Sequence, residues 1–593
     1  LWLAPFPVEK FKGKELLSMS DEGQIRSIDW HQAFPFTQLF RSFRIAIHLS
    51  KLALGLALLL AVYFGGRILD GVWPLGARAL PGEIAQYRLV ATGQATESLA
   101  AWRDDARQRI QAQYAAMLLS DDYHVVKKVD ANETDESLHR RAADIAKAGD
   151  DLKKLEQAII DHRGTQVQDI KKAYDDRVAA VDKGTETAAQ KRDDKAAALK
   201  DHDAAILDAY SAAERDIRAA QQICGQGLFH TFFSYEIREV YLVVQSITHN
   251  QWMGSDGVVD QVYNFFAVGP LWLVWNHTVF FILFGIWFLL NWAVFGGAIS
   301  RIAAVQFARD EKISVRHAMN FAVGKVLSFG SAPVIPVLIV TVIGLIVAVA
   351  SLVGNVPFLG PIVVGALFFL SLLAGFVMTL VLLGTAGGFN LMYPTIAVEG
   401  SDSFDAISRS FSYVYARPWR MLFYTAAALV YGAATYIFVH YFLWVMLVLA
   451  HHFVSMGIFT KADNTRDLLA VMWPSPTDTG RLAYTVDFHT LSFAQKIGAF
   501  FIEIWVMLIV SFLGSFAISF YFSANTIIYF LMRRQVDSTE MDDVYLEQSE
   551  DDLETVTPPE PAAGTGDTTV TAPVAPASDA AAAPPPPTAP PSP

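Results

Sequence analysis

Cysteine occurs once in the 593 residues, at Cys224. A single thiol excludes a disulfide framework and any metal or iron–sulfur centre built from several cysteines. Lysine and arginine stop at Arg534, after which twelve acids follow, from Asp537 to Asp579. The formal net charge of −13 therefore says little about the rest of the chain, which holds 47 acids against 46 bases. A phosphate-binding glycine loop, a dinucleotide fingerprint, a nucleophile elbow and an HExxH helix are all missing. No basic patch suited to nucleic acid exists either. The expectation is a protein that is not an enzyme, carries no cofactor and binds no nucleic acid.

What the chain has in excess is apolar length. Hydrophobic residues make up 53% of it, and they concentrate in six runs: Ile45 to Leu69, Leu271 to Phe295, Val334 to Val353, Pro361 to Leu383, Met421 to Leu449 and Ile497 to Met532. A helix of roughly 20 such residues crosses a hydrocarbon core of about 30 Å. The last two runs exceed a simple span, which implies tilt, a kink or extension beyond the bilayer. Cytoplasmic loops retain Lys and Arg, and Arg301, Arg309, Lys312, Arg316 and Lys325, then Arg409, Arg417 and Arg420, then Arg533 and Arg534 all fall on one side of a six-span threading. Arg41 and Arg44 put the N-terminus there too, against Arg67, Arg78, Lys461, Arg466, Arg481 and Lys496 opposite. Both termini are expected to be cytoplasmic. The first apolar run lies too far into the chain, and is too long, for a cleaved signal peptide. Leu1 is not an ordinary initiator, and Met19 is an alternative start.

The reading is an all-α fold: a six-span transmembrane domain with a long, charged, extracytoplasmic coiled-coil-like hairpin. Residues 1–44 form a cytoplasmic N-terminal segment, 45–69 the first transmembrane helix, and 70–270 the extracytoplasmic insert with a juxtamembrane amphipathic segment. Residues 271–535 form a five-span domain with cytoplasmic amphipathic helices, and 536–593 a disordered acidic, Ala/Pro-rich tail.

Between Glu97 and Arg218 the insert has no proline, 26 acids and 21 bases. Val167, Ile170, Tyr174, Val178 and Val181, then Ile206, Tyr210, Ala213, Ile217, Ala220 and Cys224, recur in steps of three and four. That spacing makes one apolar stripe per helix, as paired helices require. The insert must return to the face it left, so an even number of legs is expected. Arg163-Gly164-Thr165 marks a midpoint break, with the Asp130–Thr134 stretch and Gly184 as further breaks. Residues 97–222 are the expected surface for a protein partner or self-association, beside membrane lipid. Cys224, ending the last stripe, is a candidate for an intermolecular disulfide. Phe229, Phe232, Phe233, Ile237, Val240, Tyr241 and Val244 mark an amphipathic helix that lies on the outer leaflet or packs on the membrane domain.

Ionisable residues inside spans are costly and are functional candidates by default. Three are identified: His277, His440 and Glu503, with His451 and His452 just outside. Imidazole and carboxylate suit a divalent metal or a proton relay, although these residues sit on three different helices. Asn276, Thr278, Asn291, Thr341, Thr379 and Asn390 read as interhelical hydrogen-bond partners. Gly384 and Gly388 have small-xxx-small spacing, and Gly387 with Gly388 is expected to loosen the end of the fourth span.

Ser314 and Asp402 can each cap an amphipathic helix leading into the next span, a repeated layout. The stretch Tyr393-Pro394-Thr395-Ile396-Ala397-Val398-Glu399-Gly400, followed by Phe404-Asp405-Ala406-Ile407 and Arg409-Ser410-Phe411, resembles a segment of the bacterial family called the membrane domain of glycerophosphodiester phosphodiesterase. The likeness is close over this segment and its flanks and loose from Leu271 to Asp537. It implies a polytopic membrane module of the bacterial inner membrane. It does not imply the family's phosphodiesterase activity, because the chain has no βα repeat for a catalytic barrel. The expected role is a non-enzymatic scaffold, spacer or docking subunit acting through the arm; the alternative is a transporter or permease subunit.

Overall fold

The computed structural model describes residues 34–546 other than 124, 131, 186, 255–256, 459, 461–466, 477–481, 483, 485, 487 and 489–490. The expectations for Met19, most of the N-terminal segment and the tail beyond 546 lie outside the described residues. Every described element is helical. A short helix α1 (Arg41–Ala46) leads into the first long apolar helix, α2 (Leu49–Val72). The insert follows as α3 (Glu83–Ala91), α4 (Leu99–Leu119), α5 (Asp135–Ala148), α6 (Leu152–Lys183), α7 (Ala188–Gln221) and α8 (Leu228–Thr248). Then come α9 (Val258–Tyr263), a π-helical turn over Asn264–Val268, and α10 (Gly269–Asn276). The second span, Thr278–Arg309, consists of α11 (Thr278–Asn291) and α12 (Gly297–Arg309) joined by a π-helical turn. Beyond it lie α13 (Val315–Gly324), α14 (Val326–Ser331), α15 (Val334–Ser351), α16 (Leu359–Glu399), α17 (Ser403–Ala416), α18 (Pro418–Gly457), α19 (Leu468–Met472) and α20 (Phe493–Val536).

Six of these helical stretches are long and apolar enough to cross a membrane, the architecture of a multi-pass membrane protein. The residues up to Val544 form one compact unit; of a second, Tyr545–Pro593, only Tyr545 and Leu546 are described. The spans bury most at the end opposite the insert. There α1, α12, the last turns of α16, α17 and the second half of α20 enclose Leu391, Val398, Tyr413, Ile527, Ile528 and Met532. Between lipid-facing helices apolar burial adds little, so close approach through small residues and interhelical hydrogen bonds carries the packing. Ser515 and Ser519 of α20 donate to the carbonyls of Leu52 and Ala46. A Cβ on Gly55 of α2 would lie 2.6 Å from Ser515 Oγ and 2.9 Å from Ser515 O. By contrast, α15 and the insert-side half of α16 bury almost nothing and pack chiefly on each other.

Several expectations change. The second span starts at Thr278 rather than Leu271, because the helix breaks at His277 (φ −136°, ψ 47°). The fourth runs through Gly387, Gly388 and Pro394 to Glu399 rather than loosening near Leu383. Gly384 and Gly388 there admit Phe411 and Ser410 of α17, so the glycines serve packing. Arg163-Gly164-Thr165 is not a break, since α6 continues to Lys183 and is capped by Gly184, with Thr187 capping the start of α7. An interior glycine costs a helix only about 1 kcal/mol, and Arg163 lies over the Tyr210 ring of the neighbouring helix at 4.9 Å. Thr278, Thr341 and Thr379 donate to carbonyls four residues back in their own chain segment, and Asn276 and Asn291 do the same. That local alternative is open to any short polar side chain on a helix. Of the six polar candidates, Asn390 makes the bridge between spans, 3.1 Å to Asn525. The helix caps hold: Ser314 and Asp402 accept from His317 N and Asp405 N.

The Gly55 contact is directly testable. Gly55→Leu should destabilise the detergent-solubilised protein by about 1–3 kcal/mol, the usual cost of overpacking. Gly285→Ala, at a position with open space around it, should leave the thermal midpoint unchanged or slightly raised.

Candidate functional site at the insert–membrane junction

The insert is joined to the spans through a buried carboxylate. Gly82 adopts φ +82° and turns the chain so that Glu83 opens α3, where its Oε2 accepts from Leu80 N at 3.0 Å. Glu83 is 1% exposed. Its Oε1 accepts from Trp272 Nε1 at 3.0 Å, lies 3.2 Å from His277 Nε2, and pairs with the guanidinium of Arg103. Four separate stretches, α3, α4, α10 and the break before α11, thereby meet on one side chain. Burial alone would raise this carboxyl, but hydrogen bonds from His277, Arg103 and Leu80 N–H, with the Arg103 charge, outweigh it and hold it down to about 2.

A second carboxylate anchors the other side of the insert. Asp70, on the last turn of α2, accepts from Phe229 N at 2.8 Å and His230 N at 2.9 Å. It thus caps α8 from another helix, satisfying N–H groups that α8 leaves open. Gly227 is required there, because a Cβ would lie 2.2 Å from Asp70 Oδ2. Phe229 fills the space beneath, packed on Tyr63, Phe233 and Phe284. Of the two arrangements open to the amphipathic segment, α8 therefore takes the one packed on the membrane helices.

Outward from this junction, α4, α5 and the near ends of α6 and α7 enclose Tyr114, Leu118, Ala146, Leu155, Ile159, Ala213 and Ile217. Ser98, Thr134 and Thr187 cap α4, α5 and α7 in turn. Past this base, α6 and α7 continue as an antiparallel pair tied by Arg177–Asp201 at 2.8 Å and Lys195–Asp182 at 2.5 Å. The rings of Tyr174 and His202 lie 4.7 Å apart between them. Exposed ion pairs of this kind each contribute at most about 1 kcal/mol, so the seam of Ile206, Ala209 and half-buried Val167, Ile170 and Val178 does more to hold the two helices together.

The sequence candidates end in separate places. His277 joins the Glu83 cluster. His440 is buried on α18 among the rings of Tyr436 and Tyr441. Glu503 sits half-buried on α20, where its charge, after burial, helps push the Tyr484 phenol up to about 12. His451 Nε2 lies 3.1 Å from Trp473 O. Among the described residues no group of three or more His, Cys, Asp or Glu side chains is placed to hold a metal. Cys224 is a free thiol, half-buried in the base beside Tyr114. Glu83, Arg103 and Asp70 were not among the sequence candidates. The one local signal was Pro81-Gly82-Glu83, a turn followed by an acid at a helix start, where the helix dipole favours it.

Comparison with protein-family models, with curated proteins and with solved structures found no match.

Glu83→Gln should leave Arg103 without its carboxylate and weaken the junction by about 3 kcal/mol, as expected for one partner removed from a buried pair. Hydrogen exchange should quicken in α3, α4 and α10, while α18 and α20 stay protected. The pH dependence follows from a depressed carboxyl: its stabilisation is complete above the ordinary value of 4.5 and is lost as pH falls toward about 2. Exchange in α3 measured from pH 5 downward should accelerate across that window in the wild type and show no such step in Glu83→Gln.

Proposed function

We propose that the protein is a non-enzymatic scaffold of a bacterial inner membrane, with both termini cytoplasmic, that uses the α6/α7 pair as an extracytoplasmic coiled-coil-like docking arm. The observation that carries this reading is the arm with its fixed base. Helices of 32 and 34 residues reach about 50 Å at 1.5 Å per residue, and their root is tied to the first two spans through Glu83 and Asp70. A long, charged, antiparallel pair held at a set position suits contact with a protein at a distance from the membrane. The Tyr393–Phe411 segment, which carries the family resemblance, fits a membrane module: Glu399 pairs with Arg409 and Arg533 and so ties α16, α17 and α20 together.

Removal of residues 171–205, with a short Gly/Ser joint, shortens the arm while sparing the base. The shortened protein should insert normally and keep wild-type exchange protection at Glu83. Photocrosslinkers placed in cells at Lys171 and Asp193 should yield a discrete adduct in the full-length protein, and its partner should no longer co-purify with the shortened one. No adduct at either position, or equal recovery of the partner, would overturn the docking role.

A transporter or permease subunit is the second reading. It is favoured by Lys51, which is fully buried within the bundle with its ammonium on the Gln306 amide, since buried ionisable residues in spans often mark a path. Solute flux in reconstituted vesicles that survives removal of 171–205 and falls in Lys51→Met would support it.

A further inference from the structure

Away from Glu83, the junction contains a second polar cluster, between α8 and the π-helical turn Asn264–Val268. Glu236 and Glu239, three residues apart on α8, face this turn from one side. Glu239 is 2% exposed, and its Oε2 accepts from Asn264 Nδ2 at 3.3 Å. Glu236 lies against the far end of the turn, where a Cβ on Gly269 would sit 2.0 Å from Glu236 Oε1. Both Glu236 carboxylate oxygens are buried without a hydrogen-bond partner. Two neutral groups share that condition. Asn264, 1% exposed, has a buried and unpartnered Oδ1, and Tyr235, 7% exposed, has an unpartnered hydroxyl within electrostatic reach of both glutamates.

Buried polar atoms are almost always satisfied, so several open oxygens around one turn call for a shared occupant. The open groups are oxygen, two of the side chains are carboxylates, and no sulfur or imidazole is among them. That donor set suits a hard cation, which takes carboxylate, amide and water oxygens. The nearby cation is Arg238, 3.0 Å from Glu239 Oε1 with its side chain 55% exposed. It leaves Glu236 without a partner and Glu239 Oε2 with the Asn264 amide and no cation. Arg88 is already paired with Asp260 at 2.6 Å. We propose that Glu236, Glu239 and Asn264 Oδ1 bind one hard divalent cation of the calcium class, with Tyr235 and Gln261 positioned to hydrogen-bond its waters. The cation would tie α8 to the π-helical turn and so complete the insert's attachment to the second span.

The test uses the full-length protein in detergent after chelator treatment and dialysis, with calcium as the probe. Equilibrium binding should show one saturable site per chain, and calcium should raise the thermal midpoint and slow hydrogen exchange in α8 and α9. Glu236→Gln keeps the shape of the site and should lower affinity at least tenfold; Gly269→Ala, which displaces the Glu236 carboxylate, should do the same. Both variants should retain the chelated protein's own thermal midpoint, separating lost binding from misfolding. No saturable binding up to about 1 mM, the weak end of extracellular calcium modules, or wild-type affinity in Glu236→Gln, would overturn the assignment.

Discussion

A carboxylate removed from water must be met by charge and hydrogen bonds or it will not stay ionised, and Glu83 imposes that condition on the whole insert. Its partners are Leu80 N–H next to it in the chain, Arg103 twenty residues on, and Trp272 and His277 nearly two hundred residues on. Each lies on a different stretch, so the arrangement is satisfied only when the turn before α3, helix α4 and the break between α10 and α11 are all in place. The break has a physical reason in this scheme. The non-helical backbone at His277 (φ −136°, ψ 47°) sets its imidazole beside Trp272, 4.8 Å between ring centroids, and 3.2 Å from Glu83 Oε1.

The opposite end of the bundle uses the same device on different residues. Glu399, the last residue of α16, meets Arg409 of α17 at 2.9 Å, Arg533 of α20 at 3.3 Å and the hydroxyl of Tyr529. Arg533 in turn holds Asp543 at 2.7 Å, folding the residues after α20 back onto the bundle. In both places one acid is shared by elements distant in sequence, and in both the acid stands at a helix end. Such ends keep unsatisfied backbone groups, so polar side chains gather there at lower cost than in mid-span. The interior of the spans relies instead on serine hydroxyls donated to backbone carbonyls and on glycines that admit a neighbour's side chain.

This division explains which parts of the chain were legible. Span existence and number follow from apolar length alone, and the caps at Ser314 and Asp402 follow from local chemistry, so both could be read directly. Span ends could not, because Gly387, Gly388 and Pro394 are breakers by local preference and are overridden by the packing of Phe411 and Ser410 against Gly384 and Gly388. Gly164 is the same case, with Arg163 and Tyr210 supplying the tertiary contact. The junction was largely hidden. His277 was visible as an ionisable residue in an apolar run, but Glu83 and Arg103 lie among ordinary charged residues, and only three-dimensional proximity distinguishes them. The same holds for Glu236 and Asn264, whose open oxygens become evident only once burial is known.

The distribution of packing bears on how the insert and the spans act on one another. The insert rests on α2 and on α10 and α11, through Asp70, Phe229, Trp272 and Phe284. Helix α2 is bound to α20 by Gly55 and Ser515, and α1 by Ser519, while α12 is bound to α16 by Arg301, whose guanidinium donates to Ala397 O at 2.8 Å and stands over Phe321. The contacts of the insert therefore lead first to the first two spans and then, through these helices, to the cluster around Glu399. The pair formed by α15 and the first half of α16 lies off this route, since it packs chiefly on itself and contributes almost nothing to either polar centre. A continuous set of packed contacts runs from Glu83 to Glu399 through the first, second and sixth spans, and the third span with the insert-side half of the fourth is left to face lipid.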